Sequence, residues 1–144
     1  MSVQLPKRKP GKAKVETTAF EVCTITRKLL CNEEIFPKRS RWMGCKDIAE
    51  AANEMLMCIF TANDVRVKTT EDARYRHAMQ TRALAKFGAL EKRMTFEAFY
   101  WERCPNLYEE WAGQMVELEK LLKNWNWKFD SKYAAWLGLE REQP

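Results

Sequence analysis

Residues 111–129 read WAGQMVELEKLLKNWNWKF and carry the strongest periodic signal in the chain. The large apolar side chains recur at alternating steps of four and three residues, at Trp111, Met115, Leu118, Leu122, Trp125 and Phe129. Because an α-helix completes a turn every 3.6 residues, this spacing places all six on one helix face. Burial of a large apolar side chain contributes about 1.5–3 kcal/mol. The stretch therefore predicts a core-forming helix over roughly 107–128.

Three further helices are predicted upstream from the same spacing. In each of them, the residues at this spacing form a stripe along one helix face. The first helix, over 15–33, has its stripe at Ala19, Val22, Cys23, Thr26, Leu29 and Leu30. The second, over 42–66, has its stripe at Ile48, Ala52, Met55, Ile59 and Ala62. The third follows Thr69 and Thr70, which with Asp72 form a helix-start signal, and runs to about 101. Its stripe consists of Ala83, Phe87, Leu90 and Met94.

Short connections containing Pro37 and Pro105 separate these helices, and no strand-like alternation competes with them. Helices joined by short connections pack as antiparallel neighbours. The predicted fold class is therefore all-α, an up-down-up-down antiparallel four-helix bundle with a disordered basic N-terminal tail. The domains are a flexible tail over 1–14, the bundle over 15–130, and a short C-terminal helix or tail over 131–144.

The net charge of +5 is concentrated at the N-terminus. Residues 1–14 contain five of the 25 basic residues and none of the 20 acidic ones, so the rest of the chain is balanced. A polar, basic segment with Pro6, Pro10 and Gly11 cannot bury a core, which favours disorder and contact with an anionic partner. The candidate nucleic-acid contacts here are Lys7, Arg8, Lys9, Lys12 and Lys14.

No catalytic, metal or cofactor site is predicted. His77 is the single histidine and has no suitably spaced Cys or carboxylate partner. Phosphate-loop, nucleophile-elbow and Glu-x-x-His motifs are absent from the sequence. The five cysteines show no C-x-x-C pair, which indicates reduced thiols in a cytoplasmic protein. No run of about 18 apolar residues exists, so no membrane partner is expected.

A second basic cluster precedes the second helix. It consists of Lys38, Arg39, Arg41, Trp42 and Lys46. Cations can neutralise phosphates and an indole can stack on bases, so the cluster resembles a nucleic-acid contact. A solvated basic loop is the alternative.

The six tryptophans exceed what one core stripe can use. Trp111 and Trp125 belong to the core stripe, whereas Trp42, Trp101, Trp127 and Trp136 do not. Apolar surface outside the core suggests an oligomer interface. Alternatively, these rings cap the ends of the bundle.

Several stretches together resemble the accessory variability determinant family of bacterial diversity-generating retroelements. They are the opening MSV with its basic run, CNEEIFPKRSRW (31–42), FTAN (60–63), TED (70–72), and Trp111 followed by ELEKLLKNW (117–125). The resemblance extends from about 15 to 133. It is carried by the ordered set, since no single motif is diagnostic.

The resemblance implies a ring-like homopentamer of four-helix bundles without catalytic activity. Such proteins bind the element's reverse transcriptase and its template RNA, and they support mutagenic cDNA synthesis and transfer of the cDNA into a variable gene. By the same resemblance, Lys38, Arg39 and Arg41 contact nucleic acid or the transcriptase, and the tail cations supplement them. A protein-interaction adaptor that binds no nucleic acid is the alternative function. An enzyme is disfavoured, since no nucleophile–base pair can be identified in the sequence.

Overall fold

A computed structural model describes residues 10–38, 44–97 and 104–131. These residues form four α-helices and contain no strand. The helices are α1 (Pro10–Leu30), α2 (Cys45–Asp64), α3 (Thr70–Glu97) and α4 (Pro105–Ser131). Each helix packs against the next one in the chain, and α4 packs back against α1. The predicted all-α four-helix bundle is therefore confirmed.

Contacts between helix ends establish that neighbouring helices run antiparallel. Near the start of α1, the Glu16 carboxylate accepts a hydrogen bond from Asn63, which lies near the end of α2. Near the start of α3, the Arg76 guanidinium donates a hydrogen bond to the carbonyl of Ala62, also near the end of α2. The Arg76 guanidinium also lies 5.7 Å from the ring centroid of Trp125, near the end of α4. At the other end of the bundle, the first turns of α4 meet the last turns of α1, since the Trp111 indole donates to Thr26 at 3.3 Å.

The core consists of the predicted stripes. Every predicted stripe position in α2 and α3 is buried, as are Trp111, Met115, Leu118, Leu122 and Trp125 in α4. The stripe of α1 is likewise buried, apart from Leu30, which packs against the core at its edge. The side chain of Phe129 lies outside the described residues. The three-and-four spacing therefore located the core correctly wherever the side chains are described.

Helix α1 begins at Pro10, five residues before the predicted boundary at 15. Proline is favoured at the first position of a helix because its ring fixes a helical φ and its missing N–H needs no partner there. Residues 10–14, which the sequence predicts to belong to a flexible tail, therefore form the start of α1. Residues 1–9 lie outside the described residues, and so does the short C-terminal helix or tail predicted over 131–144, except for Ser131, the last residue of α4.

Helix α3 begins with a reciprocal hydrogen-bonded cap, as the sequence predicts. The Asp72 carboxylate accepts hydrogen bonds from the backbone N–H groups of Lys68 and Thr69, at 3.0 and 3.1 Å. In return, the backbone N–H of Asp72 donates a hydrogen bond to the Thr69 hydroxyl at 3.1 Å. These bonds satisfy helix-start donors that the helix itself leaves unpaired. The bond from Lys68 N–H is the main cause that lowers the pKa of Asp72 below 3.8, with the Thr69 bonds adding to it.

Candidate nucleic-acid interface

The connection between α1 and α2 presents Lys38 from an anchored segment. Asn32 starts the turn, since its side-chain oxygen accepts from the N–H of Glu34 at 2.9 Å. The next two side chains, Ile35 and Phe36, are fully buried and close this end of the bundle. Lys38 follows them and is exposed. The buried pair therefore holds the chain against the core immediately before the basic cluster.

Lys46 lies in the first turn of α2 and is also exposed. Arg39, Arg41 and Trp42 lie outside the described residues, so their placement is not specified. Of the predicted cluster, the structure thus places Lys38 and Lys46 at the same end of the bundle.

Two further cations at this end were missed by the sequence reasoning. Arg27 and Lys28 occupy the last turn of α1 and both are exposed. The Arg27 guanidinium donates to the side-chain oxygen of Asn53 on α2 at 3.1 Å, which fixes its position across the groove between the two helices. The signal was the adjacent pair Arg27–Lys28 at the end of the helical stripe, a position that cations favour because of the helix dipole. We call Arg27, Lys28, Lys38 and Lys46 the basic end.

Acidic side chains near the basic end are partly engaged elsewhere. The Asp47 carboxylate lies 3.4 Å from the Arg93 guanidinium on α3. The Glu34 carboxylate accepts from the Cys104 thiol at 3.5 Å, while Glu33 is exposed beside it. The basic end therefore contains both signs of charge, with four exposed cations on α1, α2 and the segment that joins them.

Two of the predicted tail contacts, Lys12 and Lys14, do not join this cluster within one chain. Lys14 lies in the second turn of α1 and is exposed, Lys12 lies in the first turn with its side chain undescribed, and Lys7, Arg8 and Lys9 lie outside the described residues. At 1.5 Å per residue, Lys14 and the last residue of α1 are about 24 Å apart along the helix. The structure therefore places Lys12 and Lys14 at the opposite end of the bundle from the basic end.

A buried polar network lies at the Lys14 end. The Trp125 indole donates to the Asn63 side-chain oxygen at 3.0 Å, and the Asn63 amide donates to the Glu16 carboxylate at 2.8 Å. Arg76 and Gln80 are fully buried beside this network on α3. The Arg76 side chain contacts α2 at the Ala62 carbonyl and α4 at the Trp125 ring, so we interpret the network as structural.

The predicted stripe of α3 contained a signal for these two residues. Stepping back from Ala83 by three and four residues reaches Gln80, Arg76 and Ala73, all of which are buried. The predicted stripe begins at Ala83 and does not include these positions, two of which are polar. The regular spacing identified the buried face in spite of the polar side chains.

The remaining predicted features concern cysteines, His77 and tryptophans. All five cysteines are free thiols, and burial raises the pKa of Cys23 to about 11. His77 is half-buried on α3. Three of the tryptophans outside the core stripe lie outside the described residues, namely Trp42, Trp101 and Trp136. Trp127 lies in α4, but its side chain is not described. Their role in an oligomer interface therefore stays a prediction. Within residues 10–38, 44–97 and 104–131, no three His, Cys, Asp or Glu side chains are grouped to hold a metal ion.

None of the described helices is long and apolar enough to cross a membrane. Comparison with known proteins found no matching family model, no similar curated protein and no similar solved structure. The family resemblance in the sequence is therefore a hypothesis that rests on the quoted stretches alone.

Proposed function

We propose that this chain is a non-catalytic accessory protein that binds RNA through the basic end of its bundle. The observation that carries the proposal is the exposure of Arg27, Lys28, Lys38 and Lys46 at one end. Arg39, Arg41 and Trp42 lie between Lys38 and Lys46 in the sequence and belong to the basic cluster that the sequence predicts. Cations of this kind neutralise phosphates, which provides affinity without reading bases.

The proposal includes an oligomer, because a single bundle presents only a small basic surface. Several copies on one assembly raise the effective concentration of each weak contact, so modest affinities combine into avidity. Specificity would then come from RNA shape or from a protein partner.

The biological context of the proposal rests on the family resemblance. It assigns the chain to a diversity-generating retroelement, where a homopentamer binds the reverse transcriptase and its template RNA, and possibly the cDNA. In that role the chain supports mutagenic reverse transcription and retrohoming and carries out no reaction itself.

RNA binding by the purified protein across a salt series tests the proposal. We expect steep loss of affinity with salt, and a weaker salt dependence for the triple variant Lys38→Ala, Arg39→Ala, Arg41→Ala. Each lost phosphate contact lowers the slope of log affinity against log salt by about 0.7 on single strands, so three contacts lower it by about 2. The mass of the free protein, measured by light scattering in the same buffer, gives the oligomeric state.

A control variant of equal charge separates local contacts from net charge. Arg66→Ala, Arg74→Ala, Lys123→Ala removes three exposed cations from the opposite end of the bundle. The proposal predicts a clearly smaller effect for this variant than for the triple variant at 38, 39 and 41. Equal losses would show that net charge alone drives binding, and a clean oligomer with no RNA binding at low salt would favour a protein-only adaptor.

A further inference from the structure

Helix α1 carries an exposed aromatic side chain between two groups of cations. Phe20 is 57% exposed near the middle of the helix. Lys14 lies six residues before it and Arg27 seven residues after it, about 9 and 10.5 Å along the axis, and all three are exposed. Lys28 follows Arg27, and both residues belong to the basic end. We call Lys14, Phe20, Arg27 and Lys28 the α1 track.

The neighbouring helix adds a second apolar side chain at the same level. The Glu16–Asn63 and Arg27–Asn53 contacts set the register of α1 and α2. Phe20 lies roughly midway between these contacts on α1, and residues 57–60 lie midway on α2. Met57 is 59% exposed there, so apolar surface continues from α1 towards α2.

The charges along α1 favour an anionic occupant. The helix contains Lys12, Lys14, Arg27 and Lys28 against two acids. One acid, Glu16, is engaged by the Asn63 amide at 2.8 Å. The other, Glu21, is exposed about 100° round the helix from Phe20 and lies between Lys28 at about 80° and Lys14 at about 120°, so cations flank it on both sides. A second copy of the same face would bring like charges together, whereas a polyanion would neutralise them.

We propose that the α1 track binds single-stranded RNA, with the Phe20 ring as a stacking platform for one base and Lys14, Arg27 and Lys28 as phosphate contacts. The inference rests on the proposed RNA-binding function and names the form of RNA and the surface. An aromatic ring on a helix surface can stack only on an unpaired base, because the bases of a duplex are stacked on one another. RNA commonly presents such bases in loops and at ends. Stacking combined with backbone neutralisation is how sequence-tolerant single-strand binders work.

Fluorescence anisotropy with labelled probes tests this inference. The probes are a 20-nucleotide polyuridine, a polythymidine of the same length and a 20-base-pair RNA duplex. The variants are Phe20→Ala, Phe20→Trp as the conservative change, and Val116→Ala on α4 as a control at a similarly exposed apolar side chain, 53%. Light scattering reports the mass of each variant.

We expect Phe20→Ala to weaken polyuridine binding by about 5- to 100-fold, which corresponds to the loss of one stacked base. Duplex affinity should change by less than about twofold, Phe20→Trp should retain polyuridine binding, and Val116→Ala should match the wild type. Weaker binding of polythymidine than of polyuridine supports RNA as the ligand, and the reverse order overturns that assignment.

Other outcomes overturn the inference in distinguishable ways. If the wild type binds polyuridine and Phe20→Ala binds it equally well, the track is wrong while the proposed function stands. A lower oligomer mass for Phe20→Ala with unchanged polyuridine affinity would identify a second copy as the occupant of this face. If the wild type binds none of the probes at low salt, the proposed function and the inference both fail.

Discussion

Replacement of Asn63 by leucine tests whether the buried polar network holds the bundle together. Asn63 is 6% exposed, accepts from the Trp125 indole and donates to Glu16. Leucine has the same branched arrangement of side-chain heavy atoms but leaves the Trp125 N–H without this acceptor, at a cost of about 1–3 kcal/mol. Loss of the bond to half-buried Glu16 adds about 1 kcal/mol, since water can replace part of it. Greater apolar burial offsets about 1 kcal/mol.

The expected net loss is about 2 kcal/mol of unfolding free energy, or roughly 6 °C in Tm for a chain of this size. Urea denaturation followed by circular dichroism measures the free energy, and a thermal scan measures Tm. Asn53→Leu is the matched control, because Asn53 is exposed and contacts Arg27 across the same pair of helices. It should change the free energy by less than about 0.5 kcal/mol.

Asn63→Asp separates the two bonds of the network. An aspartate retains an acceptor for the Trp125 indole but places a carboxylate against the Glu16 carboxylate. Mutual repulsion raises the pKa of the introduced carboxyl above its unfolded value. Its protonated form can donate as the amide did, so stability relative to the wild type should recover as pH falls and be lost as pH rises. Equal stability of wild type and Asn63→Leu, or equal losses in Asn63→Leu and Asn53→Leu, would refute a stabilising role for the network.

Three further predictions address Phe36 at the end of the core, the α3 cap and the thiols. Phe36→Ala empties a fully buried site and should lower the unfolding free energy by about 3–5 kcal/mol in urea denaturation; a loss under 1 kcal/mol would show that Phe36 does not close the core. Because hydrogen bonds lower the folded pKa of Asp72, its stabilisation is present above the unfolded pKa and is lost as pH falls through the folded pKa. Wild type should therefore melt above Asp72→Asn at neutral pH and converge with it near pH 2, and a gap that is unchanged at pH 2 would contradict the cap. Exposed Cys31 should react first with Ellman's reagent, and buried Cys23 should react only on unfolding; a fast phase that survives in Cys31→Ser would contradict this order.

The core of this bundle could be predicted from the sequence because burial and helix periodicity coincide. Stripe residues such as Leu118 and Ile59 have no polar atoms to satisfy, so their spacing alone determines their side of the helix. The α3 cap was equally predictable, since Thr69 and Asp72 interact within one turn. Both features depend on residues close together in the chain.

The buried polar residues could not be predicted in the same way, because their partners come from other helices. Arg76 resembles a surface cation until α2 supplies the Ala62 carbonyl and α4 supplies the Trp125 ring. The start of α1 was not predicted either, because its apolar stripe begins only at Ala19. The helix starts at Pro10, so Lys14 and the basic end are separated by the length of α1.

The two ends of the bundle differ in a way that makes the functional tests interpretable. The Lys14 end contains the buried network, so substitutions there combine effects on stability and on binding. At the basic end, Ile35 and Phe36 anchor the chain while Lys38 and Lys46 are exposed. Exposed cations of this kind contribute little to the folded state, so their removal should leave Tm nearly unchanged. A loss of RNA affinity without a change in Tm would therefore measure a contact with RNA, because damage to the fold would lower both.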